Sequence, residues 1–486
     1  MTRKVLFGLG LLWVCLAAAY QHIPSADLWW LLADGRLIAE TGSIPSQDPF
    51  SWSAPGAPWH NDQWLCGWLA FQVYRVTGLE GLHLIKALLL AATLGLLLDT
   101  GRRLRPDGNW GWLAPALAIT LLSAEGRFFF DVRAYLFTYF CLALLWRWLQ
   151  LRERLHPLAV FVLFVFWANL HGGVSSGLLV LGLEAVFSQK ERRIHLLTMT
   201  ALAFLAACCN PSGIWLLLHP FLLLGSPWGR YLNEWAPVWR RPDIFAYELV
   251  SFGLWAVLAM VKRQSSASRD MHGVGLNPDS GKPSLEPGQA RWDHHDKVLA
   301  ALAVFSLTGW RHIPLFALLA LPRWCVHLRG SALSWQACWL GLILWAGVKP
   351  LSIADPGQTG ESQFFPQQAC NWLSDHPLPR KMFHPYGLGG YLLWRGWPVG
   401  IDGRAVQVYP WHCYRDYLNV ALERVPPATP RAPERFDAYC RQNGIQVAML
   451  FSQQKEAGLW LVEGNKRWRP VYQDELVTIV VTEEVR

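Results

Sequence analysis

Residues 27–64 mix acids, tryptophans and turn formers in four short groups. These read Asp27-Leu28-Trp29-Trp30, Asp34-Gly35-Arg36, Asp48-Pro49-Phe50-Ser51-Trp52 and Trp59-His60-Asn61-Asp62-Gln63-Trp64. A carboxylate among rings that favour a headgroup layer is a residue type that membrane-boundary chemistry uses as acid or base. The plainer alternative makes Asp27 a helix N-cap and the tryptophans an interfacial belt. Further along stand Glu125, Arg127, Asp131 and Arg133, then Trp167, Asn169 and His171-Gly172-Gly173. Asn210-Pro211-Ser212-Gly213, Glu234-Trp235 and Arg311-His312-Ile313-Pro314 complete the set. A guanidinium suits a phosphate, because its fork of donors keeps its charge in a partly buried site. The ten cysteines show no paired metal spacing and no zinc or haem pattern.

The segments that must position these groups are apolar. Of 486 residues, 52% are hydrophobic and 16% charged, whereas a soluble chain carries about a quarter charged residues. The formal charge of +8 falls in short loops between apolar runs, which orients a membrane protein and gives no reason to expect nucleic acid. A basic start precedes a first apolar segment, residues 5–20, expected to be a retained signal anchor; Ala17-Ala18-Ala19 offers a cleavage alternative. The first external loop, residues 21–80, should carry one amphipathic helix from Asp27 to Glu40 and a second, interfacial one over residues 64–76. Trp29 and Trp30 should anchor the first of these at the headgroups.

Residues 82–98 form the next expected span, with Lys86 snorkelling to its outer end. The others are residues 110–123, 134–150, 158–170, 174–187, 196–209, 248–261, 298–309, 314–325 and 333–348. The fold expected is therefore an all-α polytopic membrane domain over residues 1–349, with about 11 transmembrane helices. A Ser-, Gly- and Pro-rich stretch, residues 264–296, reads as a flexible cytoplasmic loop. Span parity puts the N-terminus inside, and all the polar groups named above, with the tail, outside. Most basic clusters then fall inside, with Arg240-Arg241 an exception.

The tail, residues 350–486, reads as a small α/β domain. Helix signals lie at residues 368–374 and 437–442, and strand patterns at 446–451 and 476–481. Tyr386-Gly387-Leu388-Gly389-Gly390-Tyr391 and Ile401-Asp402-Gly403-Arg404 are its distinctive pieces. The glycines lack the strand–helix setting of a nucleotide loop, so tight backbone packing is the better use. Cys66, Cys370, Cys413 and Cys440 share the outer side, where a disulfide is permitted without its pairing being readable.

An acid soon after the first span, an amphipathic helix, the Asp-Pro-Phe-Ser-Trp loop and a second interfacial helix resemble the first external loop of the GT-C glycosyltransferase superfamily. That group includes oligosaccharyltransferases, protein mannosyltransferases and the aminoarabinose transferase of lipid A. Trp167 to Gly172, Asn210 to Gly213 and Asp402 to Arg404 are similar to motifs of its bacterial multi-spanning members. The resemblance implies inverting transfer of a sugar from a polyprenyl-phosphate donor to a lipid, glycan or protein acceptor, at the outer face of the bacterial inner membrane. Asp27 matches the family's catalytic acid. Arg311, His312, Arg127, Arg133, His171, Asn210, Trp30 and Glu234 become substrate-binding candidates. Arg133 has an alternative as the ion-pair partner of Asp131 or Glu125. His171 has one as a group satisfied by a backbone carbonyl. A divalent metal would fall to Glu125 and Asp131, whose spacing matches no known metal motif. The bilayer and the lipid-linked donor are the implied partners. A lipid-linked glycan transporter and a non-catalytic scaffold are the other classes; the first would show broken helices at mid-depth and internal repeats, and no repeat is found.

Overall fold

The computed structural model of the protein describes residues 26–104, 132–152, 154–228, 239, 293–327, 365–421, 432–453 and 457–485. Helix α1, Ala26–Thr41, is stopped by Gly42, whose φ of 67° is the left-handed cap that glycine adopts without strain. Its apolar residues do not form one stripe. Leu28, Trp29, Trp30, Leu31, Leu32, Ala33 and Ile38 are all buried, so the helix needs cover on several sides. One cover is the start of α2, Trp64–Leu104. There Gly35 meets Gly67 so closely that a methyl on Gly35 would run into the Gly67 carbonyl.

The other cover of α1 is the tail. Trp29 packs edge-on against Phe365 and Tyr391, with ring centroids 5.4 and 4.9 Å away. The expected surface helix with Trp29 and Trp30 at the headgroups is thus corrected: both indoles are 2% exposed, inside a core shared with the tail. Helix α2 breaks at Gly78 (φ 65°, ψ −156°), which separates its first turns from the long apolar part. Lys86, expected to snorkel, is buried.

The remaining helices are α3, Tyr135–Leu151; α4, Pro157–Leu170; α5, Val174–Phe187; α6, Lys190–Ala207; α7, Trp215–Gly225; α8, His294–Ser306; and α9, Ile313–His327. They pack around Leu145, Trp146, Phe164, Trp167, Leu181 and Leu299. The expectation of about 11 transmembrane helices is overturned here. Among the described residues one helix, α2, is both long and apolar enough to cross a membrane. Length is the reason. Helices α4 and α5 have 14 residues each, about 21 Å, against a hydrocarbon core of about 30 Å. Their buried faces pack mainly against α6, while Leu158, Val162, Phe166 and Val186 stay exposed. The expected segments at residues 5–20, 110–123, 248–261 and 333–348 lie outside the described residues, as does most of the loop 264–296. That loop's last residues, His294 to Asp296, instead form the first turn of α8, capped by Asp293.

In the tail, α10 is Gln367–Asp375, β1 Met382–Phe383, α11 Gly389–Trp394, α12 Trp411–Ala421, α13 Ala432–Asn443, β2 Val447–Phe451, β3 Trp468–Gln473 and β4 Val477–Thr482. The sheet order is β1-β2-β4-β3, with β1 parallel to β2 and the other pairs antiparallel. β2 and β4 are buried along their whole length, which explains their unbroken apolar runs. Side-chain alternation splits them: Val447, Met449, Ile479 and Val481 face the core that holds α1, while Ala448, Leu450 and Val480 join Tyr417 and Phe436 of α12 and α13. The loop after α1 pairs with the tail as well, through Trp52 N–H to the Val399 carbonyl (2.9 Å) and Val399 N–H to that of Phe50 (3.2 Å).

Candidate functional site

Asp27 sits in the first turn of α1. Its Oδ1 accepts from Trp30 Nε1 at 3.2 Å, and its Oδ2 lies 3.1 Å from Arg133, just ahead of α3. Gly403 of the tail closes over the carboxyl, and a Cβ on that residue would collide with Asp27 Oδ1. The glycine of Asp-Gly-Arg is therefore required by close approach. Trp30 is buried beneath this contact.

Two turns along α1, Asp34 is fully buried, and both its oxygens accept from Asn61 Nδ2, at 2.9 and 2.8 Å. Burial pushes the Asp34 carboxyl up to about 7, against the opposing pull of Asn61 and the more distant Arg404. Asn61 Oδ1 is buried with no hydrogen-bond partner. The unfolded carboxyl ionises near 3.8, so between that value and about 7 the folded state binds the extra proton. Stability must fall as pH rises across that window. From pH 6 to pH 8 this one group is expected to remove about 1.4 kcal/mol. Chemical unfolding at the two pH values, for the protein and for Asp34→Asn, checks it; an equal pH response in both would refute the assignment.

Asp62 follows Asn61 and points to the turn between α4 and α5. Its carboxyl takes the backbone N–H of Gly172, and its Oδ1 is buried with no hydrogen-bond partner. A Cβ on Gly172 would strike Asp62 Oδ2, so this residue too must be glycine. Burial pushes Asp62 up to about 6, against backbone N–H groups and the charge of Arg311. Arg311 enters from the 3₁₀ turn Trp310–His312, ahead of α9. His312 next to it is pushed down to about 3, first by burial and then by Arg311. It is neutral at neutral pH and gives a phosphate no second cation. Its ring stacks on Phe305 at 4.3 Å.

His171 is positioned from behind. Trp167 Nε1 donates to Thr138 Oγ1 at 2.9 Å, and that hydroxyl lies 2.8 Å from His171 Nδ1. Gly173 N–H donates to the same Nδ1 at 3.1 Å, which leaves the ring proton of the neutral imidazole on Nε2. Asn169 links Trp64 Nε1 (2.8 Å) to the Cys209 carbonyl (2.8 Å), tying α2 to the end of α6. Asn210 spends its amide on its own turn, donating to Ala207 and Gly213 carbonyls and accepting from Ser212 N–H. Glu125, Arg127, Asp131 and Glu234 lie outside the described residues.

Two histidines complete the polar region around Arg311: His60, which stood in the Trp59–Trp64 group without a role, and His219, which did not stand out in the chain. His219 of α7 is pushed down by burial, then by Arg311 and His60. His60 stacks on Trp215 at 6.0 Å. Both sit in ordinary apolar or loop contexts, and only the fold connects them. The four cysteines named earlier are free thiols.

A second polar centre joins loop and tail. The Arg404 guanidinium is fully buried and donates to Asp48 Oδ1 (2.6 Å), to Asp402 Oδ1 and Oδ2 (2.9 and 2.7 Å) and to the Tyr409 hydroxyl (3.2 Å). Phe50 and Trp59 rings flank it at 5.2 and 4.9 Å. Asp48 also accepts from the backbone of Phe50 and Ser51. Every charge here is consumed, so this centre holds structure. In the Asp62–Gly172–Arg311 region, burial raises the Asp62 carboxyl to about 6 and Arg311 opposes that rise. No protein-family model matches the chain, and no curated protein matches it in sequence, so neither comparison assigns a family.

Proposed function

We propose that the chain is a membrane-associated transferase that moves a sugar from a polyprenyl-phosphate donor to a hydroxyl-bearing lipid, glycan or protein acceptor. Asp62 takes the acceptor's proton as its oxygen attacks the anomeric carbon. The bond from that carbon to the phosphate breaks, and the departing oxygen carries the electron pair toward Arg311. The observation that carries this reading is Asp62 itself: a carboxyl raised to about 6, with a buried unpartnered oxygen and a guanidinium in electrostatic reach. A general base works best with a proton affinity near the working pH. The resemblance points to Asp27 for that task, but a carboxylate held by Arg133 is a weaker base. Asp27 is better used to fix α1 and the tail around the site.

Lipid contact is supported by large apolar side chains left on the surface, among them Leu84 and Leu88 of α2, Val162 of α4 and Phe221 and Leu222 of α7. The reading keeps the site and tail on the outer face of a bacterial inner membrane. A scaffold role is favoured by one feature, the Asp27–Arg133–Gly403 contact, which ties the start of α1 to the segment ahead of α3 and to the tail. The two readings separate in vesicles holding the purified protein, a fluorescent polyprenyl-phosphate sugar and a mixed acceptor pool. Release of polyprenyl phosphate that requires the protein supports transfer. Donor binding without release, across sugars and acceptors, supports the scaffold.

A further inference from the structure

Far from Asp62, at the other end of α5, Glu184 is fully buried. It faces the two histidines that open α8. Glu184 Oε1 lies 2.6 Å from His295 Nδ1, and Oε2 lies 3.6 Å from His294 Nε2. Oε2 and His294 Nε2 are both buried atoms with no hydrogen-bond partner. The two imidazoles lie 3.9 Å apart, centroid to centroid. The three ligand atoms fall within 4.8 Å of one another.

We propose that Glu184, His294 and His295 bind a divalent transition-metal ion of the Zn²⁺ class. Two imidazoles and one carboxylate are a common three-residue donor set for zinc, which leaves a fourth position for water. Ligand atoms about 2.0–2.1 Å from a tetrahedral ion sit roughly 3.3 Å apart, and the observed 2.6 and 3.6 Å bracket that spacing. His294 is 29% exposed and opens the site to solvent on one side. Arg192 stands 3.8 Å from Glu184 Oε2, but its Nη2 donates to the Leu149 carbonyl at 2.8 Å and is held to α3. Trp146 packs edge-on against His295 at 5.7 Å and walls off the inner side.

The ion has a positional role. Helix α5 begins beside Gly172, and α8 leads into the turn that carries Arg311. A metal joining their far ends fixes one helix against the other, some 15 Å along α5 from the proposed reaction centre.

The test uses untagged full-length protein, stripped with EDTA and titrated with Co²⁺ in detergent, with Zn²⁺ as competitor. One ion per chain is expected, with visible Co²⁺ absorption typical of four-coordinate sites and loss of the bands on adding Zn²⁺. Glu184→Gln should weaken binding beyond the roughly 10- to 100-fold typical of an outer-shell change. Because Glu184 is buried, that variant can fail to fold, and His294→Ala, at a partly exposed position, is the second probe. Zn²⁺ should raise the thermal midpoint of the parent protein and not that of His294→Ala. No saturable uptake, or uptake unchanged in the folded variants, would overturn the site and leave Glu184–His295 a simple hydrogen-bonded pair.

Discussion

Replacing Arg404 by Met is expected to lower the free energy of unfolding by roughly 3–5 kcal/mol. The guanidinium is the common partner of Asp48 in the loop and Asp402 in the tail, and all three side chains are fully buried. Met fills similar volume but leaves two carboxylates without a cation, and an unpaired buried charge is the costly outcome. Arg404→Lys should recover only part of the loss, since one ammonium cannot serve the fork that now reaches two acids and a phenol. Burial pushes the Asp402 carboxyl up, yet Arg404 and Tyr409 together outweigh it and hold the group below its ordinary range. A depressed carboxyl stabilises the fold above the unfolded value of 3.8, and that contribution is lost as pH falls. Denaturant unfolding followed by tryptophan emission measures both effects. A change below about 1 kcal/mol in Arg404→Met would mean that the loop and tail are held by apolar packing alone.

The second large effect concerns turnover. Asp62→Asn should lower sugar transfer by roughly 10²-fold or more, with donor binding largely kept. Asn keeps the size of the side chain, and its amide oxygen can still accept the Gly172 N–H, so the turn should persist. What it loses is the proton affinity. Because Asp62 is raised to about 6 and acts ionised, transfer by the parent protein should climb as pH rises through 6 and level above it. Asp62→Asn should lose that rising limb. Asp27→Asn should cost less in rate, since its partner Arg133 and neighbour Trp30 can reorganise around an amide. Unchanged transfer in Asp62→Asn, with a loss in Asp27→Asn, would move the proton acceptor to Asp27.

Some of this was legible in the chain. Unbroken apolar runs marked β2 and β4, and local spacing marked α1, α10 and α13, because two-sided burial of a strand and the helical period both leave their mark on consecutive residues. The count of spans was not legible. A run such as residues 158–170 has the same hydropathy whether lipid or helix α6 lies against it, and only length in the folded helix separates the cases. The ligand pairs were hidden for a different reason. Asp34 meets Asn61 across 27 residues, and Arg404 meets Asp48 across 356. Nothing local distinguishes an acid that will be buried with a partner from one that will cap a helix. Glu184 with His294 and His295 is the same case at a separation of 111 residues.

The burial of α1 beneath the tail also has a consequence for biosynthesis. Arg36 donates to the Trp394 carbonyl 358 residues later, and Trp52 to that of Met382 330 residues later. At a synthesis rate of about 5–20 residues per second, the first loop waits roughly 20 to 70 s for its cover. Until then Asp48 needs water around it, and Trp29 and Trp30 have no partner rings from the tail. This end of the chain is an apolar surface in search of a lid throughout translation, so a holding factor acting on the emerging N-terminal loop would govern the yield of folded protein more than any step at the last residue.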